Sequence, residues 1–288
     1  MPVCYNPPML RRVIVLALTV GVSMLATETP AIAQDHPAVW PKVLTRGDVE
    51  GTGDFLKGSE PNRPLDVRFR AGADLLEAGP FRLPFDFNFD VAFDNRKYPQ
   101  FADYSLAFTP EVIVGGFAVG LVARHTSRHM HDVLSVQAVA WNSLGARLAG
   151  STTSGRWRLR ATVSASKYLE SIRSYVDYDW DVVGAGRATY DVSPRTAYYV
   201  DGTVRLLQCD LAVAGRDGEV GARIETGANL AFGFGRIDAY VTWDRRIDPA
   251  PYARRVADFL AVGLRFRAAT SRDGKGRPIR HSETISPR

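Results

Sequence analysis

The stretch Arg124-His125-Thr126-Ser127-Arg128-His129-Met130-His131-Asp132 holds three of the chain's five histidines and is its densest set of chemistry-bearing side chains. His125 and Ser127 stand two positions apart, which makes them neighbours on one face if the segment is a strand. An imidazole so placed can take the proton of a hydroxyl whose oxygen attacks an ester. A second chemistry is open to the same residues: imidazoles of His125, His129 and His131 share a face while the strand continues and can converge on a metal ion. The third reading is a polar hairpin connection at a membrane surface, with histidine and arginine set against lipid head groups.

The residues just upstream decide where these side chains point. Ile113, Gly115, Phe117, Val119, Leu121 and Ala123 alternate with Val114, Gly116, Ala118, Gly120, Val122 and Arg124. The bulky odd-numbered face suits lipid and the small even-numbered face suits a packed lumen. Parity then sets His125 and Ser127 on the lipid side, near the membrane edge, where we expect them to form a hydrogen-bonded pair.

This placement resembles two families of outer-membrane lipid hydrolases, outer-membrane phospholipase A and lipid A 3-O-deacylase, which carry a His-x-Ser pair on the outer wall of a barrel. The resemblance implies that His125 is the general base, that Ser127 is the nucleophile, and that acyl esters of phospholipid or lipid A are cleaved. It also implies an asparagine or glutamate on the next strand to orient the imidazole. Asn142 lies on the apolar face of its own run, with Leu134, Val136, Ala138, Ala140 and Leu144. It meets His125 only if residues 128–139 are mostly connection. A second strand that starts at Val133 puts Asn142 several rungs away and leaves Asp132 as the other candidate. The wider His125-x-Ser127-x-His129-x-x-Asp132 pattern is similar to one in an uncharacterised family of bacterial outer-membrane proteins, which implies a location and no activity.

The frame that must hold these residues is written in alternation. In Phe81-Arg82-Leu83-Pro84-Phe85-Asp86-Phe87-Asn88-Phe89-Asp90-Val91-Ala92-Phe93-Asp94 every odd position is large and apolar. A period of 3.6 would scatter those side chains around a helix, so the segment is a strand. Comparable segments run at 67–77, 111–127, 133–149, 155–168, 173–192, 196–214, 219–232, 235–245 and 255–268. Turn-forming clusters part them at Asn95-Arg96-Lys97, Ser151 to Gly155, Ser193-Pro194 and Gly215 to Gly218. The total is ten strands, or twelve if the longest runs divide. Most reach the roughly 9–11 residues a membrane strand needs, and aromatic residues (Tyr175, Tyr178, Trp180, Tyr198, Tyr199, Tyr240, Trp243) gather near their ends. The last one closes with Leu260-x-Val262-x-Leu264-x-Phe266, like the C-terminal strand of outer-membrane barrels. We therefore expect an all-β transmembrane antiparallel barrel of about 10–12 strands over 65–268, with outer-membrane lipids as partners. The competing architecture is a soluble periplasmic sandwich or lipocalin-like barrel that binds an apolar ligand.

Flanking segments follow from the same pass. Arg11-Arg12, the apolar run Val13 to Ala26, and Ala31-Ile32-Ala33 form a signal-peptide series, so residues 1–33 are expected to be removed on export. Residues 34–64 read as a periplasmic lead-in and 269–288 as a polar tail. Only Cys4 and Cys209 are present, and removal of the first leaves no partner for an internal disulfide. The net charge of +5 rests on arginine, which fits anionic head groups and equally fits a codon preference. Arginine would also fit nucleic acid, but the export signal argues against that partner. Gly233-Phe234-Gly235 reads as a turn between strands, so no phosphate-cradling loop and no particular cofactor is indicated.

Overall fold

The computed structural model describes residues 42–58, 65–93, 99–130, 138–172, 178–209, 219–232, 235–247 and 256–269. Thirteen strands occupy them: β1 Lys42–Gly58, β2 Leu65–Ala78, β3 Phe81–Phe93, β4 Pro99–Phe108, β5 Glu111–Val114, β6 Phe117–Met130, β7 Ala138–Ser154, β8 Trp157–Ile172, β9 Tyr178–Asp191, β10 Thr196–Cys209, β11 Glu219–Phe232, β12 Gly235–Ile247 and β13 Val256–Ala269. Each pairs antiparallel with its neighbours, and β1 pairs with both β2 and β13, which closes the sheet into a barrel. β4 and β5 share one place in the wall, because both lie between β3 and β6, so thirteen segments make twelve wall positions. The break falls at Thr109-Pro110. Pro110 has no N–H for a ladder, and the gap is bridged by Thr109 N–H donating to Pro84 O at 2.9 Å and Leu121 N–H to Pro110 O at 3.0 Å. No helix among the described residues is long and apolar enough to cross a membrane.

The two ends of the barrel differ. At one end the connections between strands hold two to four residues, as from Ala78 to Phe81 or Asp191 to Thr196, and both the start of β1 and the end of β13 lie there. At the other end five to nine residues separate the strands. Short turns beside the start of the first strand and the end of the last, with longer connections opposite, are the periplasmic and outer sides of an outer-membrane barrel. One short turn is Gly115-Gly116, with φ of +57° and +84°. Positive φ at both central residues matches a hairpin turn that twists with its strands and favours glycine.

The wall is inside out relative to a soluble barrel. Large apolar side chains at alternate positions are exposed on the outer surface, among them Phe69, Phe89, Leu121, Val200, Ile224, Val241 and the β13 series Leu260, Val262, Leu264 and Phe266. The opposite alternation faces the lumen and is charged. Arg265 Nη2 lies 2.8 Å from Glu225 Oε2 and its Nη1 3.4 Å from Asp238 Oδ2. Arg267 Nε lies 2.5 Å from Glu50 Oε2. Arg187 of β9 reaches Asp238 of β12 at 4.0 Å, across strands that are not neighbours, so this network spans the lumen rather than running along the wall. Asp54, bonded by Arg68 and by the Tyr240 hydroxyl, and Asp238 are both wholly buried although they face inward, so side chains fill the lumen around them. Glycine makes that filling fit: a Cβ on Gly263 would overlap the Tyr240 ring. Nearer the outer end the filling turns aromatic, with Trp141, Tyr178 and Leu207 packed together beside Tyr168. Exposed apolar bulk outside and buried charge inside exclude the soluble, ligand-binding alternative: the chain is an outer-membrane β-barrel.

Three sequence expectations differ from this wall. Residues 34–64 were expected to precede the barrel, yet β1 occupies Lys42–Gly58 and pairs over most of its length with β13. Its outward positions include Gly47, Gly51 and Gly53, which thin the apolar alternation that would have marked it. β4 has only Tyr104, Leu106 and Phe108 as its large outward residues and did not register as a strand. The continuous run expected at 111–127 is two strands folded back at Gly115-Gly116, so β5 and β6 pair with each other. Residues 1–33, and the tail beyond Ala269, lie outside the described residues.

Candidate functional site on the outer wall

β6 carries the histidine-rich stretch, and its parity holds to the strand's end. Val122 is buried in the lumen while Leu121 on the odd face is exposed. Thr126 stands opposite the lumen residue Trp141. His125, Ser127 and His129 therefore point to the outside, at the end of the barrel with the longer connections. Their neighbours are fixed by register: Leu106 and Tyr104 of β4 stand opposite His125 and Ser127. On the other side, Asn142 and Ala140 of β7 stand opposite the same two residues.

That register makes a polar island on the outer face. Asn142 Oδ1 lies 2.8 Å from His125 Nδ1, so the imidazole N–H donates to the amide oxygen and the ring's Nε2 is left to accept a proton. Ser127 Oγ lies 3.3 Å from His129 Nε2. The Tyr104 ring lies against both imidazoles, stacked on His129 at 5.5 Å with planes 19° apart and tilted to His125 at 6.0 Å. Ser127 is only 2% exposed, although its face of the strand is the outer one. A hydroxyl and three ring or amide groups thus satisfy one another on a surface where unpaired polar groups would be costly.

The sequence candidates fare unequally. The structure brings His125 and Asn142 together, although a second strand starting at Val133 had set them rungs apart. β7 is described from Ala138, and the pairing of His129 with Ala138 carries Asn142 level with His125. His125 and Ser127 share a face as parity required, but the expected bond between them is replaced: the serine's imidazole partner is His129. Asp132 and His131 lie outside the described residues. Two participants went unrecognised in the sequence. Tyr104 was hidden with its strand, and its signal was the short alternation Ala102, Tyr104, Leu106, Phe108. His129 was weighed as a metal ligand and as part of the wider pattern but not as the serine's partner, although it stands on the other side of Ser127 at the same spacing as His125. Among the described residues no group of three or more His, Cys, Asp or Glu is placed to hold a metal ion.

No protein-family model matches the chain, and no curated protein matches it. Its fold is shared with solved outer-membrane barrels. An outer-membrane channel from Pseudomonas putida F1 superposes with a TM-score of 0.52 at 11% identity, over 83% of this chain and 100% of that one. The transport unit of the autotransporter AIDA-I from Escherichia coli gives 0.44 at 10% identity, over 88% and 97%. A loop-deleted OmpT of Vibrio cholerae gives 0.41 at 11% identity, over 79% and 99%. The first of these likenesses concerns the fold alone and leaves the polar island of β4, β6 and β7 to be read on its own chemistry.

Proposed function

We propose that this outer-membrane barrel is a serine-dependent lipid acyl hydrolase, with Ser127 as the nucleophile and acyl esters of the outer leaflet as its substrates. The observation that carries the reading is the 3.3 Å approach of Ser127 Oγ to an imidazole nitrogen of His129 on the lipid-facing wall, beside the 2.8 Å hydrogen bond between His125 and Asn142. An imidazole within hydrogen-bond reach of a serine hydroxyl can take its proton as the oxygen attacks an ester. The location suits the chemistry, because an acyl chain can lie along the exposed apolar wall below the island while its ester reaches the polar groups. Outer-membrane lipids are then both solvent and substrate. The longer connections at the island's end of the barrel, typical of the outer side, support an outer-leaflet substrate.

The reaction needs only groups of this chain and water. Ser127 Oγ bonds to the acyl carbon as its proton passes to a neighbouring imidazole nitrogen. The ester C–O bond breaks, and the leaving oxygen takes that proton. Water then releases the acid by the same sequence in reverse, with the proton returned to Oγ. The test is fatty-acid release from phospholipid and from lipid A in mixed micelles by the purified, folded barrel. We expect release by the native chain and none above background by Ser127→Ala with unchanged heat-modifiable gel migration. Equal rates for the two, or no release by the native chain from either lipid, would refute the proposal.

A further inference from the structure

Ser127 has an imidazole on each side of it along β6, and the two are engaged differently. His125 is held by Asn142 through Nδ1. His129 touches the serine itself, with Nε2 3.3 Å from Oγ, and its ring plane is set by the stack on Tyr104. Proton transfer requires the base within hydrogen-bond reach of the proton it takes. The serine is 2% exposed, so solvent does not offer its hydroxyl an alternative acceptor.

Resting on the hydrolase reading above, we propose that His129 is the general base for Ser127 in the acyl-transfer step, and that the Asn142-held His125 is a positioning residue for that step. The proton of Oγ passes to His129 Nε2 as Oγ bonds to the acyl carbon. When the tetrahedral intermediate collapses, the C–O bond to the leaving alcohol breaks and His129 returns the proton to that oxygen, which leaves His129 neutral and Ser127 acylated. Tyr104 belongs to the same device, because its ring holds the imidazole against the serine from the strand opposite.

The experiment uses the folded barrel in detergent micelles and a fluorophosphonate, whose phosphorus is attacked by an activated serine with loss of fluoride and so reports Oγ nucleophilicity without lipid turnover. Native protein is expected to label at Ser127, and Ser127→Ala not to label. His129→Ala is expected to label at least 100-fold more slowly, while His125→Ala keeps the rate within about 10-fold, a split sized by the 10²–10⁴ that a general base supplies. Tyr104→Ala, with the stack removed, is expected to fall between them, and Tyr104→Phe to keep the native rate. Loss of labelling in His125→Ala with its retention in His129→Ala would overturn the assignment and leave the hydrolase reading standing, with His125 as base. Equal loss in both would also overturn it, since the imidazoles would then act as one unit. No labelling of native protein, under conditions where heat-modifiable migration shows a folded barrel, would bring down the hydrolase reading itself.

Discussion

β13 and β6 present the same kind of surface to the same surroundings and use it differently. On β13 every outward position from Leu260 through Val262 and Leu264 to Phe266 is apolar and exposed, as lipid contact asks. On β6 the outward series begins in the same way with Val119 and Leu121, which are 52% and 57% exposed, and then turns to His125, Ser127 and His129. Both strands obey one parity, so β6 has not twisted its polar groups inward. It has placed them on the lipid-facing side near the outer end, where the neighbours Tyr104 and Asn142 partner them by stacking and bonding. A departure from the apolar series of β13, with partners supplied on both flanking strands, is the mark of a site rather than of drift.

Charging each surface is the strongest way to break the comparison. Val262→Arg is expected to cost about 2–4 kcal/mol of barrel stability if it lies near the bilayer midplane, whereas Leu121→Arg, closer to the periplasmic turn at Gly115-Gly116, should cost about 1–2 kcal/mol. Urea unfolding in lipid vesicles measures both, and equal costs would mean that the depth difference between the sites is wrong. The inner face of the same β13 strand gives the next effect. A methyl group on Gly263 meets the Tyr240 ring, so Gly263→Ala is expected to destabilise by about 1–3 kcal/mol through overpacking. A neutral result in the same assay would show that Tyr240 does not fill the lumen as described.

Asn142→Leu sharpens the contrast from the other side, since it makes the β7 flank of the island as apolar as the β13 wall. Stability should fall by about 1–2 kcal/mol as His125 Nδ1–H loses its acceptor, while kcat/KM for ester cleavage falls by no more than about 10-fold, less than the loss of a general base would cause. Unchanged turnover would detach the amide from the chemistry. The smallest effect belongs to the lumen face of β3. Asn88 donates to Ser105 Oγ at 3.2 Å, and Asn88→Ala should cost about 0.5 kcal/mol, the low end for a neutral hydrogen bond with water nearby. A cost several times larger would place Asn88 in a dry network.

Much of this was legible in the chain, and the rest was hidden for physical reasons. The phenylalanine stripe of Phe81 to Phe93 declared a strand, because seven large residues at period two leave no helical reading. Lys42–Gly58 declared nothing, since glycines stand where its apolar residues would alternate and the strand is held through its partners β2 and β13. At the site, parity alone sent His125 and Ser127 to the outer face, and that is how they stand. Register was another matter. Whether Asn142 meets His125 depends on where the hairpin between β6 and β7 turns, and Leu134 and Val136 keep alternating ahead of Ala138, so a pattern of hydrophobicity cannot say where pairing starts. The choice of His129 over His125 as the serine's partner lay deeper still, because it is a matter of side-chain rotation and of the Tyr104 ring from a strand that the sequence did not reveal.

The central claim is that the histidine–serine island faces lipid rather than lumen, and a site-directed accessibility scan tests it most directly. In a Cys209→Ala background, single cysteines at positions 119 to 126 carry a spin label in the barrel folded into lipid vesicles, with collisions measured against oxygen, which partitions into lipid, and against a water-soluble nickel chelate. The account predicts oxygen accessibility at 119, 121, 123 and 125 in alternation with protected positions at 120, 122, 124 and 126. Oxygen access at the even positions, or chelate access at 125 together with the lumen residues, would contradict it and return His125, Ser127 and His129 to the inside of the barrel.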